Sequence, residues 1–132
     1  MELRDICFQP LNPELFDMVA KGAAFAVCQS GAGRSNKSTQ LRKFYDELVM
    51  WNDKVQLQRG TERAEKYTEL APFIKMLNAK VAYAKGRGHV DGMFEDIFSH
   101  CIKSIKDADS LKHCKLFMEA FMGFYKAQEG NK

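Results

Sequence analysis

No stretch of the chain stays apolar for the length of a bilayer-crossing helix, and the first ten residues, MELRDICFQP, carry charge where an export signal needs an unbroken apolar run. Neither a membrane span nor a signal peptide is expected, and the chain reads as cytoplasmic. The four cysteines, Cys7, Cys28, Cys101 and Cys114, include no CxxC spacing, so buried thiols are expected rather than a disulfide framework. The nearest approach to a metal motif is a pair of His-Cys dipeptides, His100-Cys101 and His113-Cys114. Neighbouring residues on a helix point about 100° apart, so one dipeptide cannot easily aim both side chains at a single ion. No metal, no cofactor and no catalytic set are expected. No segment alternates with period two, no Asn-Gly turn is framed by strand-like runs, and there is no repeat or low-complexity tract.

What the chain does have is helical periodicity over most of its 132 residues, with 45% apolar residues, enough for the core of a single domain. Asn12 followed by Pro13 is a cap and first-turn signal, with Glu14 and Asp17 suited to the positive end of a helix, predicting a helix to about Gln29. Leu41, Phe44, Tyr45, Leu48, Trp51 and Val55 mark a second helix, opened by Ser38 or Thr39. A third helical region spans Thr61 to Lys85, interrupted or restarted at Pro72. Met93, Phe94, Ile97, Phe98, Cys101, Ile102 and Ile105 trace a fourth, after the glycine-bearing loop GRGHVDG (86–92). A last helix runs from about Leu111 to Gln128, with Asp109 or Ser110 as its cap. The fold class is all-α, a compact bundle of about five helices in one domain, with a flexible basic loop at about 30–38.

That loop contains GAGRSNKST (31–39), which nearly spells the phosphate-binding motif G-x-x-x-x-G-K-[ST], with Gly31, Lys37 and Ser38 in register. The sixth position is Asn36 instead of glycine. A phosphate loop also needs a preceding parallel strand inside a βαβ sheet, and this sequence offers no second strand to pair with. The near-match is read as accidental, and the loop, lacking apolar anchors, as disordered when free.

Charge is unevenly placed. Between Arg34 and Arg87 there are twelve Lys or Arg against six Asp or Glu, whereas the remainder has eight against eleven. A basic segment in an otherwise mildly acidic chain suggests an anionic partner on one surface. Arg34 and Lys37 lie on the loop. Arg42 and Lys43 follow on the next helix, each four residues from an acid, Asp46 and Glu47. In the third region Phe73, Leu77, Val81 and Ala84 form the expected buried stripe, with Lys75, Asn78, Ala82 and Lys85 opposite. Lys80 falls near the apolar stripe, and Arg87 sits on a glycine-flanked tip.

TQLRKFYDELVMW, with KMLNAKVAYAKGRG downstream, resembles the small α-helical subunit of the type III-A CRISPR (Csm) interference complex. The matching positions are Thr39, Gln40, Leu41, Arg42, Lys43, Phe44 and Tyr45, then Lys75, Leu77, Lys80, Tyr83, Gly86 and Arg87. The resemblance implies a non-catalytic, sequence-independent RNA-binding subunit, preceded by a segment that is often loose. It would line the groove where guide RNA pairs with single-stranded target RNA, beside the backbone subunits and the large polymerase-like subunit. Arg34, Lys37, Arg42, Lys43, Lys75, Lys80, Lys85 and Arg87 are the expected RNA contacts. Residues 1–30 match nothing in that family's pattern.

Two other classes compete. One is a helical protein–protein adaptor without nucleic-acid contact, its basic surface serving solubility. The other is an enzyme, at the phosphate-loop-like stretch or the His-Cys pairs. Tyr83 and Trp51 are read as core aromatics with base stacking as the alternative. Leu116, Met122 and Phe124 widen the apolar face of the last helix, which suggests contact with a second copy or another subunit.

Overall fold

The structure is a computed structural model and describes residues 2–129. Six α-helices run through it: α1 (Ala20–Gly31), α2 (Ser38–Gln56), α3 (Thr61–Lys75), α4 (Leu77–Gly86), α5 (Gly92–Lys103) and α6 (Ala108–Glu129). The described residues hold no β-strand, only an isolated bridge between Phe8 and Leu11. The all-α bundle is as expected, and the count rises to six because the third region divides at Met76 rather than at Pro72. Pro72 stays inside α3 with its ring exposed. The bend is taken up one turn later, where the Met76 carbonyl accepts from both Ala79 N (3.0 Å) and Lys80 N (3.2 Å).

Helix α6 is the axis of the bundle, packed chiefly between α1 and α2. Its Leu111, Cys114, Phe117, Met118, Phe121 and Tyr125 are buried. Small residues on α1 (Ala20, Ala23, Ala24) are fully buried and let the two backbones approach closely. A run of rings carries the core from α2 through α5 into α6. Phe44 lies 5.4 Å from Phe98, Phe94 lies 6.1 Å from Phe121, and Phe121 stacks on Tyr125 at 5.7 Å. Each such pair contributes about 0.5–1.5 kcal/mol beyond its buried area. Of the residues that widen the apolar face of α6, Met122 and Phe124 pack, partly buried, against this core.

The start of the chain also differs from expectation. Asn12 does cap, its Oδ1 accepting from Glu14 N at 2.7 Å. A five-residue π-helical turn, Leu15–Val19, intervenes before α1, with Leu15 fully buried. Residues 6–8 are strapped down rather than loose. Ile6 and Phe8 are buried, and Phe8 meets Phe117 at 6.1 Å. His100 Nε2 bonds Ile6 O (2.8 Å) and His113 Nδ1 bonds Phe8 O (3.0 Å), so each ring donates to a strap carbonyl. The two His-Cys pairs therefore split their work: the imidazoles hold the strap, while Cys101 and Cys114 are buried in the core.

Helix caps follow local chemistry. Asp91 Oδ1 accepts from Phe94 N (3.1 Å) and opens α5. Asp107, not Asp109 or Ser110, opens α6: its Oδ1 accepts from Ser110 N (2.8 Å), and Ser110 Oγ accepts in return from Asp107 N (3.0 Å). This reciprocal box leaves neither donor orphaned.

The loop after α1 has an anchor that the sequence reading did not foresee. Asn36 is fully buried in a left-handed conformation (φ 59°), which asparagine tolerates better than most residues. Its Nδ2 donates to Val27 O (3.1 Å), its Oδ1 accepts from Asp91 N (2.9 Å), its amide donates to His89 O (3.0 Å), and its carbonyl accepts from the Tyr125 hydroxyl. One residue thus joins α1, the turn before α5, and α6, the first two through its side chain and the last through its carbonyl. Gly31 packs tightly beside it: a Cβ there would come within 3.1 Å of Asn36 Nδ2 and push against the amide.

Asn36→Ala leaves the Asp91 amide without its acceptor and takes one donor from the Val27 carbonyl, which keeps the Ser30 hydroxyl (3.1 Å), and is expected to lower the unfolding free energy by about 1–3 kcal/mol in urea titration. Asn36→Gly, which completes the phosphate-loop spelling, loses the same bonds. Added nucleotide is expected to restore none of its stability.

Candidate nucleic-acid interface

The register of the α3–α4 segment decides which cations are free. Its buried stripe is Tyr67, Leu70, Ile74, Leu77, Val81 and Ala84, spaced alternately by three and four residues. Phe73, expected in that stripe, lies one residue off it and is 49% exposed. At about 100° per residue, the positions one before and one after the stripe form two opposite flanks.

One flank holds Lys75, Asn78, Ala82 and Lys85, and it is the seam with α5. Lys85 Nζ pairs with Glu95 (3.4 Å), and Asn78 Oδ1 accepts from Ser99 Oγ (3.0 Å). Lys75 Nζ donates to Ile102 O (2.6 Å) and Ile105 O (2.8 Å) at the C-terminal end of α5. Burial lowers the Lys75 pKa. The flank chosen from sequence as the phosphate-facing surface is therefore engaged with α5. Lys75 is a cap for that helix, where a cation also suits the negative end of the dipole.

The other flank holds Phe73, Met76, Lys80, Tyr83 and Arg87, all exposed. Lys80, the residue out of place on the expected wheel, lies on this open side and reaches Glu47 of α2 with both carboxylate oxygens (2.8 and 3.0 Å). Glu47 also accepts from Trp51 Nε1 (3.2 Å), so it serves Lys80 and Trp51 instead of Lys43. Trp51 in turn stacks on Phe73 (5.9 Å, 19°). Arg87 Nη1 donates to the Tyr83 hydroxyl (3.2 Å), with the guanidinium carbon 5.9 Å from the ring centre.

Asn36 brings the two glycine-bearing loops together at one end of the bundle. Residues 32–37, with Arg34 and Lys37, lie beside residues 86–91, with Arg87. Among the described residues no carboxylate lies within ion-pair distance of Arg34, Lys37, Lys43 or Arg87. Arg42 has an exposed partner, Asp46, at 3.7 Å, a contact worth less than about 1 kcal/mol. Arg42 and Lys126 also flank a shallow groove with Thr39, Met122 and Gly123 between them.

The amide end of α2, where a phosphate loop would hold its ligand, already carries an anion. Glu129 accepts from Ser38 Oγ (2.9 Å) and Ser38 N (3.4 Å). Lys37 adopts extended backbone at the cap, and Ser38 is the first helical residue. Burial raises the Glu129 pKa, but bonds from Ser38 and the charge of Lys126 outweigh it and the net direction is downward. Asp91 behaves alike: burial raises it, and hydrogen bonds from Ser30, Asn36 and the Phe94 and Met93 amides bring it below its ordinary value. No group of three or more potential metal-binding side chains gathers among the described residues, and no helix is long and apolar enough to cross a membrane.

Lys75→Ala removes the charged donor from the Ile102 and Ile105 carbonyls, which keep only the Ile105 amide (3.2 Å) and the Tyr67 hydroxyl (3.3 Å), and is expected to cost about 1–2 kcal/mol in chemical denaturation. Lys43→Ala, at an exposed unpaired position, is expected to stay within about 0.5 kcal/mol. Because Glu129 titrates lower in the folded chain than its ordinary 4.5, its stabilisation is complete above that pH and is lost as pH falls through the folded value. Glu129→Gln should therefore flatten the acid limb of a Tm-against-pH profile, leaving the rest of that limb to Asp91 and other carboxylates.

Residues 13–131 match the family model described as Csm2 Type III-A. The match takes in residues 13–30, which the sequence reading had left unassigned. No curated protein and no solved structure matches the chain. A family match over nearly the whole chain, on an all-α bundle that keeps the basic helix α2 and the Tyr83 to Arg87 tip together, places this protein in the Csm2 family of type III-A CRISPR subunits.

Proposed function

We propose that the chain is a non-catalytic small subunit of a type III-A CRISPR ribonucleoprotein effector complex that binds RNA without regard to sequence. It lines the groove in which guide RNA pairs with single-stranded target RNA during antiviral defence. The observation that carries this reading is the basic end of the bundle, where two loops pinned by one asparagine present Arg34, Lys37 and Arg87 without carboxylate partners. Arg42 and Lys43 extend the surface along α2, and Lys80 and Lys85 along α4. Lys80 and Lys85 pair with the partly buried Glu47 and Glu95, while their own ammonium groups stay about half exposed and open to phosphate. Lys75 is left out of the contact set, because its ammonium already serves two carbonyls.

Such a surface suits backbone recognition. Phosphate contacts fix position and carry no sequence information, which base pairing between guide and target supplies. The large polymerase-like subunit, the backbone subunits and further copies of this chain are its partners in the complex, in the cytoplasm. The adaptor reading keeps one observation on its side: Phe73 and Met76 are about half exposed on the open flank of α3–α4, as a protein-docking surface would have them.

The test is fluorescence anisotropy of labelled RNAs of unrelated sequence across a salt series. Arg34→Glu, Lys37→Glu and Arg87→Glu are each expected to weaken all the RNAs alike and to reduce the salt slope by about one per cation removed. Lys75→Ala should leave the affinity unchanged at a temperature where it is folded. Binding that ignores the first three substitutions would favour the adaptor.

A further inference from the structure

Tyr83 is, by fraction, the most exposed aromatic side chain among the described residues: two-thirds of it (67%) is open to solvent, on α4, with Lys80 and Arg87 one helical turn away on either side. A tyrosine at this spacing from a buried stripe has no core to fill. Its ring is nevertheless held, because Arg87 bonds the hydroxyl from the next turn and places its guanidinium against the ring. The other large aromatic on this side of the bundle, Trp51, is half-buried and spent: one face is on Phe73 and its N–H is on Glu47.

We infer that Tyr83, fixed by Arg87, is a stacking platform for one unpaired RNA base, with Lys80 and Arg87 taking the flanking phosphates. The inference rests on the RNA-binding reading above and adds what that reading lacks, a means of preferring unpaired RNA over duplex. Phosphate contacts alone cannot make that distinction at a single nucleotide. An exposed ring between two cations can, because a base that is already paired and stacked presents no free face. Stacking on an aromatic tolerates every base, so the platform is consistent with sequence-independent binding. Holding the ring in advance reduces the ordering cost of binding. The rise of 1.5 Å per residue sets the α-carbons of Lys80 and Arg87 about 10 Å apart along the helix with Tyr83 between them, so a strand laid along α4 meets cation, ring and cation in order.

The experiment compares wild-type chain, Tyr83→Phe and Tyr83→Ala against single-stranded RNA, an abasic oligonucleotide of equal length, and duplex RNA, all by anisotropy. Tyr83→Ala should lose between roughly fivefold and a hundredfold in affinity for the single strand. It should match wild type on the abasic and duplex ligands. Tyr83→Phe keeps the ring and should retain the preference for single strand. A 2-aminopurine base in the strand should be quenched by wild type and Tyr83→Phe and not by Tyr83→Ala. Equal binding of all three proteins to single-stranded RNA, with Arg34→Glu still weakening it, overturns the platform and leaves the RNA-binding reading standing. Absence of wild-type binding to every RNA at low salt overturns both.

Discussion

The basic end of this bundle exists because one buried amide can satisfy groups from three parts of the chain. Asn36 takes a carbonyl from α1 and an amide from the cap of α5 with its side chain, and its own carbonyl receives the Tyr125 hydroxyl from α6. A buried polar group without partners is costly, so these bonds fix the loop in one place. Two flexible-looking glycine stretches, separated by some fifty positions, become neighbours as a result. Every cation on them inherits its position from that junction, and Gly31 leaves the amide the space it occupies.

Electrostatics then sorts the lysines and arginines into those already engaged and those left over. Helix ends absorb several charges: Glu129 on α2, Asp91 on α5, Asp107 on α6 and Lys75 at the far end of α5. The seam between α4 and α5 engages Lys85 with Glu95. Among the cations left without a carboxylate, Arg34, Lys37 and Arg87 are gathered on the paired loops and Lys43 lies on the exposed side of α2. That surplus is spatial and is barely visible in the small net charge of the sequence.

Sequence periodicity was sufficient for the all-α class, the helix order and most of the core, because three-and-four spacing reports burial directly. It misplaced the cations of α4 for a physical reason. Leu77, Val81 and Ala84 were rightly placed in the stripe, but periodicity within one helix cannot show that α5 packs along the flank that carries Lys75, Asn78 and Lys85. The capping role of Lys75 and the tether at Asn36 depend on partners 9 to 89 residues away in sequence and leave no local trace. Asn36 did leave one signal. It stood where a phosphate loop requires glycine, and an asparagine in a left-handed position often means that its side chain is in use. Asp107 was missed for a smaller reason, since three of the four residues of DADS can cap.

The contact between Ser38 and Glu129 has a consequence for how the chain is made. Synthesis is vectorial, so α2 and its amide end leave the ribosome about ninety residues before the carboxylate that neutralises them. Through that interval the N-terminus of α2 has no acidic side chain of its own first turn to lean on. Helix α6, the axis on which α1 and α2 pack, also arrives last. The nascent chain therefore holds amphipathic helices with no axis until α6 emerges. Closure of the bundle and capping of its second helix are one late event.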